Sequence, residues 1–280
     1  MRAEYPVEAL CKALRVSTSG FYQWRQRCEA PCRRVVENRQ LVGVIRRIHE
    51  ESRRTYGAPR IHACLLREGW RHGHNRVARL MRENGLMGVM PRRWRVCTTD
   101  SRHDQPVAPN RLAEQPPPTG RNQVWVGDIT YIPTDEGWLY LAGIMDLYSR
   151  RIVGWAMQER IDSSVALRAW AMARQHRQPP PGLTAHSDRG VQYACREYRQ
   201  ELAQARALSS MSRKANCYDN AAMESFWSTL KTDLVYRTRF RSRSEARRAI
   251  VDYIETFYNR RRLHSALGYQ SPVDFENQNN

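Results

Sequence analysis

Carboxylates stand at three places in the sequence where burial would penalise them unless something offsets their charge. Asp128 interrupts the apolar run QVWVGDITYI. Asp188 follows the apolar run of LTAHSD, inside HSDRGVQY. Glu224 lies in DNAAMESFWSTLK, at the edge of a stripe formed by Met223, Phe226, Trp227, Leu230 and Leu234 on a helical wheel. Asn220 and Lys231 share that edge at i−4 and i+7. Three converging carboxylates repel one another unless a cation sits between them. Oxygen ligands with open positions suit Mg²⁺ or Mn²⁺. Two such ions about 3.5–4 Å apart serve phosphoryl transfer. The pattern alone leaves alternatives open. Asp135, Glu136, Asp146, Asp162, Asp219 and Asp233 are also available, and Asp219 suits the N-cap of the helix that carries Glu224.

The elements that must position these acids are readable from periodicity. QVWVGDITYI alternates, with Val124, Val126, Asp128, Thr130 and Ile132 on one face. WLYLAGIMDLYS and RIVGWAMQ follow after short gaps, as hairpin-connected strands do. SSVALRAWAMARQ reads as a helix capped by Ser163 or Ser164. LTAHSD is a fourth strand, REYRQELAQA a helix and LSSMS a short fifth strand. Helical patterns over Asp219–Tyr236 and Ser242–Leu263 finish the chain. A three-strand meander followed by alternating helix and strand predicts an α/β sheet covered by helices. In such sheets sites form at strand ends, where Asp188 falls, and Gly190 then lets the chain turn away.

The front of the chain differs. Val7, Leu10, Cys11 and Leu14 share a helical face, and VSTSGFYQWRQR adds a second helix with Ser17 or Ser19 as cap. This pair reads equally as a helix-turn-helix or a plain helical hairpin. Leu41, Val44, Ile45 and Ile48 mark a third helix; Ile61, Leu65 and Leu66 a fourth, after Gly57 and Pro59. Val77, Leu80 and Met81 mark a fifth, closed by Gly85. Arg76, Arg79 and Arg82 recur on its other side, spaced to track phosphates. The organisation expected is a helical segment 1–38, a helical DNA-binding domain 39–97, a proline-rich linker 98–122, a catalytic core 123–236, and a C-terminal helix and tail 237–280 packing on that core.

Charge names the partner class. The chain of 280 residues has a net charge of +18, which makes nucleic acid the default partner. Residues 1–120 carry 23 Arg/Lys against 11 Asp/Glu, and residues 121–280 carry 23 against 17. The acids that need a role are therefore concentrated behind the basic front. Only Lys12, Lys214 and Lys231 are lysines. Seven cysteines are scattered, and Cys28, Cys32, Cys64, His72 and His74 lack finger-like spacing, so reduced thiols are expected rather than zinc. No apolar run reaches the roughly 20 residues of a membrane span, and MRAEYPVEAL lacks a leader's apolar core; a cytoplasmic protein of a reducing compartment is expected.

WVGDITYI, HSDRGVQY, NCYDNAAMESFWSTLKTD and YNRRRLHSALGYQSP occur in that order, with 35 residues between Asp188 and Glu224. Together they resemble the catalytic core of bacterial insertion-sequence transposases of the IS-three group, OrfB type. YGAPRIHACLLREGW and NRVARLMRENGLMG resemble the helical DNA-binding segment of the same proteins. The resemblance runs from about Val16 to Pro272, and the ordered set is far more specific than any one motif. It implies an RNase H-like, retroviral-integrase-type fold preceded by an all-α helix-turn-helix region. It implies Asp128, Asp188 and Glu224 as DDE ligands of Mg²⁺ or Mn²⁺, as two ions. It implies DNA contact by Lys231, with His186, Asn220 and Lys214 as substrate or supporting residues; Arg260, Arg262 and His264 suit either DNA binding or a helix end. It also implies strand cleavage and 3′-OH transfer on double-stranded DNA beside the bacterial nucleoid, homo-oligomers on that DNA, and an upstream OrfA-type protein as fusion or partner. Ala215 stands where relatives usually have Gly. An RNase H-like nuclease without strand transfer and a non-catalytic DNA-binding protein are the rival readings.

Overall fold

The computed structural model describes residues 5–29, 32–90, 105–213 and 220–279. The chain divides into two compact units, Met1–Gly88 and Val89–Asn280.

The first unit is helical: α1 (Val7–Ala13), α2 (Thr18–Glu29), α3 (Arg33–Glu51), α4 (Ala58–Arg67) and α5 (His74–Glu83). Ser17 caps α2, its Oγ accepting from Gly20 N at 3.0 Å. The three longer-range partners α3, α4 and α5 pack through Leu41, Ile45 and Ile48, Ile61 and Leu65, and Val77, Leu80 and Met81, all buried. Val44 is only half-buried, and Leu66 is exposed because it falls on the outer side of α4. Gly85 follows α5 with a φ of +65°, the left-handed conformation that closes a helix with least strain in glycine.

The second unit is built on a five-stranded sheet of order β3-β2-β1-β4-β5. Strands β1 (Val124–Thr134), β2 (Gly137–Asp146) and β3 (Ile152–Gln158) form the antiparallel meander. After α6 (Ser163–Arg177), β4 (Thr184–Ser187) joins β1 in parallel. The single turn α7 (Val191–Ala194) and α8 (Arg196–Gln204) lead to β5 (Leu208–Met211), parallel to β4. Asp162, not Ser163 or Ser164, caps α6, accepting from Ser164 N at 2.9 Å, while Ser164 Oγ is bonded to Gln158. Trp125, Val153, Val165, Trp170, Leu183 and Tyr198 fill the core between the sheet and α6, α7 and α8.

The opposite face takes α9 (Ala221–Asp233) and α10 (Arg243–Asp252), which continues as a π-helical stretch over Tyr253–Tyr258; α11 (Pro272–Gln278) ends the fold. Both long helical patterns stop earlier than their periodicity suggests. Asp233 is drawn inward by Tyr253 and Arg262 at the end of α9. Asn259 bonds both the N–H and the C=O of Ile152 at 2.9 Å, tying the chain to the edge strand β3. The helices thus lie on both faces of one sheet, as a layered α/β core requires.

Candidate active site

Asp128 and Asp188 stand side by side. The parallel ladder of β1 and β4 ends at the pair Gly127 and Ser187, and the next residues on the two strands are Asp128 and Asp188. Neighbouring strands lie about 4.8 Å apart, so Asp188, just past the end of β4, stands beside Asp128 in the middle of β1. Both line one cavity of about 480 Å³. Asp128 Oδ1 accepts from the Ile129 N–H at 2.8 Å, and Oδ2 from the indole N–H of Trp227 at 2.9 Å. Burial first, and then the charge of Asp188, push the Asp128 carboxyl up to about 7 despite these two donors. Asp188 Oδ1 accepts from Gly190 N at 3.0 Å.

Glu224 comes in on α9. Met223, Phe226, Trp227 and Leu230 are buried against the sheet, Leu234 only partly, and Glu224 is exposed in the first turn. Trp227 lies three residues beyond Glu224 on the same helical face, so its bond to Asp128 sets Glu224 one turn from that acid. The field of Glu224 adds to the upward shift of Asp128, and burial raises Glu224 itself. Among the described residues no three acids or other ligands already stand at metal-binding distance. The fit to a divalent ion rests instead on chemistry: two adjoining carboxylates, of which Asp128 is held above its ordinary pKa by burial and by Asp188, and a third within electrostatic reach.

The competing acids have other work in the described structure. Asp146 accepts from the N–H groups of Asn122 and Tyr148 and pairs with Arg177. Asp135 pairs with Arg239, Glu136 accepts from Arg243 N, and Asp162 caps α6. Asp233 is bound by Tyr253 and Arg262. Asp219 lies outside the described residues, as do Lys214 and Ala215.

Lys231 is half-buried two turns beyond Glu224, its ammonium 4.9 Å from the centre of the Tyr131 ring. Burial lowers its pKa, and Asp128 acts in the opposite sense. Asn220 occupies the N-cap position of α9 without capping it, and its buried Oδ1 has no partner among the described residues.

Of the other basic and polar candidates, His186 and Arg262 are buried and Arg76 is partly buried. His186 is buried, its ring nitrogens 2.8 and 3.1 Å from the hydroxyls of Ser210 and Ser212, which join β4 to β5. Arg262 is 6% exposed and paired with Asp233 Oδ2 at 2.8 Å; it is an internal strut. Arg76 is tied to Asn38 and Glu37 across the helical unit. Arg79 pairs with Glu83, which leaves Arg82 the exposed member of the three. Arg260 is exposed and His264 half-buried.

Sequence reasoning missed Trp227 as a polar partner and Gly143 as the room it needs, and read Gly190 as a turn where the structure shows close approach to Asp188. A Cβ on Gly143, the cross-strand partner of Asp128, would meet the Trp227 ring at 2.9 Å. A Cβ on Gly190 would lie 3.0 Å from Asp188 Oδ1. Gly190 has a φ of −63°, so it is there for close approach and not for a special turn. A glycine inside the strand pattern LAGIMD was the available signal for the first.

Comparison with known proteins identifies the family. An integrase core domain family matches residues 118–217, a second integrase core domain family 224–279, and an HTH-like domain family 37–94, which takes in most of α3 and all of α4 and α5. The insertion element IS600 uncharacterized 31 kDa protein of Shigella sonnei is 47% identical over 266 residues, 95% of this chain and 97% of that protein. The transposase InsF for insertion sequence IS3A of Escherichia coli K12 is 39% identical over 278 residues, 99% of this chain and 96% of its own length. Among solved structures, a simian T-cell lymphotropic virus intasome in complex with a PP2A regulatory subunit aligns with 82% of this chain and 73% of its own at 16% identity and a TM-score of 0.49. The HTLV-2 integrase catalytic core in complex with magnesium covers 56% of this chain and 97% of its own at 15% identity and a TM-score of 0.44. No described helix is long and apolar enough to cross a membrane. With full-length relatives at this identity, the chain belongs to the IS3 family of insertion-sequence transposases, DDE-type enzymes with an integrase core and an HTH-like domain.

Proposed function

We propose that this protein cleaves one DNA strand at the ends of its insertion sequence and joins the freed 3′-OH to target DNA by direct transesterification, with Asp128, Asp188 and Glu224 holding the metal. The observation that carries this reading is Asp128 standing beside Asp188 where the parallel ladder of β1 and β4 ends, with the Glu224 helix bonded to Asp128 through Trp227. A pair of Mg²⁺ or Mn²⁺ ions held there would activate the attacking oxygen and stabilise the leaving one. The chain's own residues do the rest. Trp227 and the Ile129 N–H orient the Asp128 carboxylate, and Gly190 N holds Asp188. Lys231 offers its ammonium to a substrate phosphate without displacing an acid. In the helical unit, α5 with Arg82 at its surface contacts duplex DNA, and the basic excess of residues 1–120 supplies the electrostatic attraction. The protein works as a homo-oligomer on paired ends, with an upstream OrfA-type protein as fusion or partner.

The test is a joining assay with a labelled duplex bearing the element end, a plasmid target and Mg²⁺ or Mn²⁺. Metal-dependent joining by the wild type, lost in Glu224→Gln with DNA binding retained, is the expected result. Cleavage without joining would assign a nuclease instead. Joining that survives Glu224→Gln would refute the assignment of the acids.

A further inference from the structure

The cavity that begins at Asp128 and Asp188 does not end there. It continues past Ile129 and Tyr131 to Tyr140 and Trp138 on the neighbouring strand, and its other wall carries Ile161, Val191 and Tyr193. Trp138 is 49%, Ile161 46% and Val191 43% exposed. These are large apolar groups left in water on a strongly basic protein, and all three face one cleft. Exposed apolar surface gathered in a concave site marks binding rather than chance. The rings are also ordered. Tyr131 and Trp138 meet edge to face with centroids 4.7 Å apart, and Tyr140 is the cross-strand partner of Tyr131. Tyr131 lies three residues along β1 from Asp128, about 10 Å at strand spacing. The Lys231 ammonium sits over that same Tyr131 ring.

Acids, then a cation, then aromatic faces is the sequence of groups that one strand of nucleic acid would meet: reacting phosphate, neighbouring phosphate, base. The geometry points to this cleft as a nucleobase site, in which an unstacked base of the DNA strand, one to three nucleotides from the reacting phosphate, packs on Trp138, Tyr131 and Tyr140. It deepens the transposase reading and rests on it for the strand's position. Packing on ring faces tolerates any base, so the cleft grips a strand end without reading its sequence. A base can enter only after leaving its duplex, so ends that are already frayed or mismatched suffer less from losing the cleft.

The experiment compares the full chain with Trp138→Ala and Trp138→Phe. Anisotropy at raised salt measures binding of a short single-stranded oligodeoxynucleotide and of the same strand with internal abasic residues. Wild type is expected to favour the base-bearing strand by about 10-fold, as stacking on an aromatic side chain gives. Trp138→Ala should lose that preference while binding the abasic strand as wild type does, and Trp138→Phe should keep most of it. In the joining assay, Trp138→Ala should be slow on fully paired ends and recover on ends mismatched beside the cleavage point. A wild type without base preference, or a Trp138→Ala variant that keeps it, overturns the cleft. Joining absent from a wild type that still prefers bases would remove the transposase reading and leave the cleft standing; joining present without base preference would do the reverse.

Discussion

Replacing Asp128 by Asn should make the metal-free protein more stable while destroying its chemistry. Burial and the neighbouring Asp188 raise the Asp128 carboxyl from 3.8 to about 7. The native state therefore holds a proton that the unfolded chain has released. Between about pH 4 and pH 7 the native state binds more protons than the unfolded one, so stability falls as pH rises through that window. Above pH 7 the full penalty applies. Three pH units at 1.36 kcal/mol each set a ceiling of about 4 kcal/mol, and solvent reaching this half-buried carboxylate screens it to roughly 2–3 kcal/mol. Asn keeps the shape but can accept from only one of the two donors, Ile129 N and Trp227 Nε1; a lost hydrogen bond removes about 1 kcal/mol.

The net gain at pH 8 is then about 1–2 kcal/mol, or roughly 3–6 °C in Tm for a unit of this size. At pH 5 the wild-type carboxyl is protonated when folded, its penalty is small, and the lost hydrogen bond cancels the gain. The assay is thermal unfolding of the full chain followed by tryptophan fluorescence at pH 5 and pH 8, with and without Mg²⁺. Mg²⁺ should raise the wild-type Tm at pH 8, as any ligand of the native state does, and leave Asp128→Asn unmoved. A variant less stable than wild type at pH 8, still responding to Mg²⁺, would refute the reasoning and make Asp128 a hydrogen-bonded structural acid.

Three further outcomes are expected. Arg262→Met leaves Asp233 buried without its cation, which should destabilise the protein by about 3–5 kcal/mol; adding Asp233→Asn should recover most of the loss, and calorimetry of the two variants checks it. Gly190→Ala should fold normally, since its φ of −63° suits alanine, but its Cβ crowds the Asp188 carboxylate. Mg²⁺ affinity from calorimetric titration should weaken by about 10-fold. Lys231→Ala should lower the slope of log binding constant against log salt by about 1, as loss of one phosphate contact does, with little change in Tm.

What could be read in advance followed from local pattern. Asp128 stood out because alternation put an acid inside an apolar strand, and Asp188 because a strand ended beside it. The 3.6-residue period put Glu224 at the edge of the buried stripe of α9, and the family resemblance singled it out among the available acids. What the sequence left open at Arg262 and His186 has a different cause: each depends on a partner far away in the chain. YNRRRLHSALGY offers adjacent arginines, and nothing local says that Arg262 turns inward while Arg260 and Arg261 stay exposed. The reason is Asp233, 29 residues upstream, brought beside it when α9 and the π-helical stretch pack on one face of the sheet. His186 looked like a polar group next to a catalytic acid. Its role is set by the parallel register that pairs it with Ser210 and by the serine two residues further on.

The same dependence explains why glycine marks this site better than charge does. Gly143 faces Asp128 across the ladder and lets Trp227 descend far enough to bond its carboxylate. A side chain there would lift the indole, and with it the turn of α9 that carries Glu224. The sheet thus positions two acids directly through its register, and the third indirectly, through an indole that fits only above a bare backbone. On the proposed function, acids that share a metal's charge have to be close yet separately anchored, and for Asp128 burial and the neighbouring Asp188 make the charged form costly wherever that charge is missing.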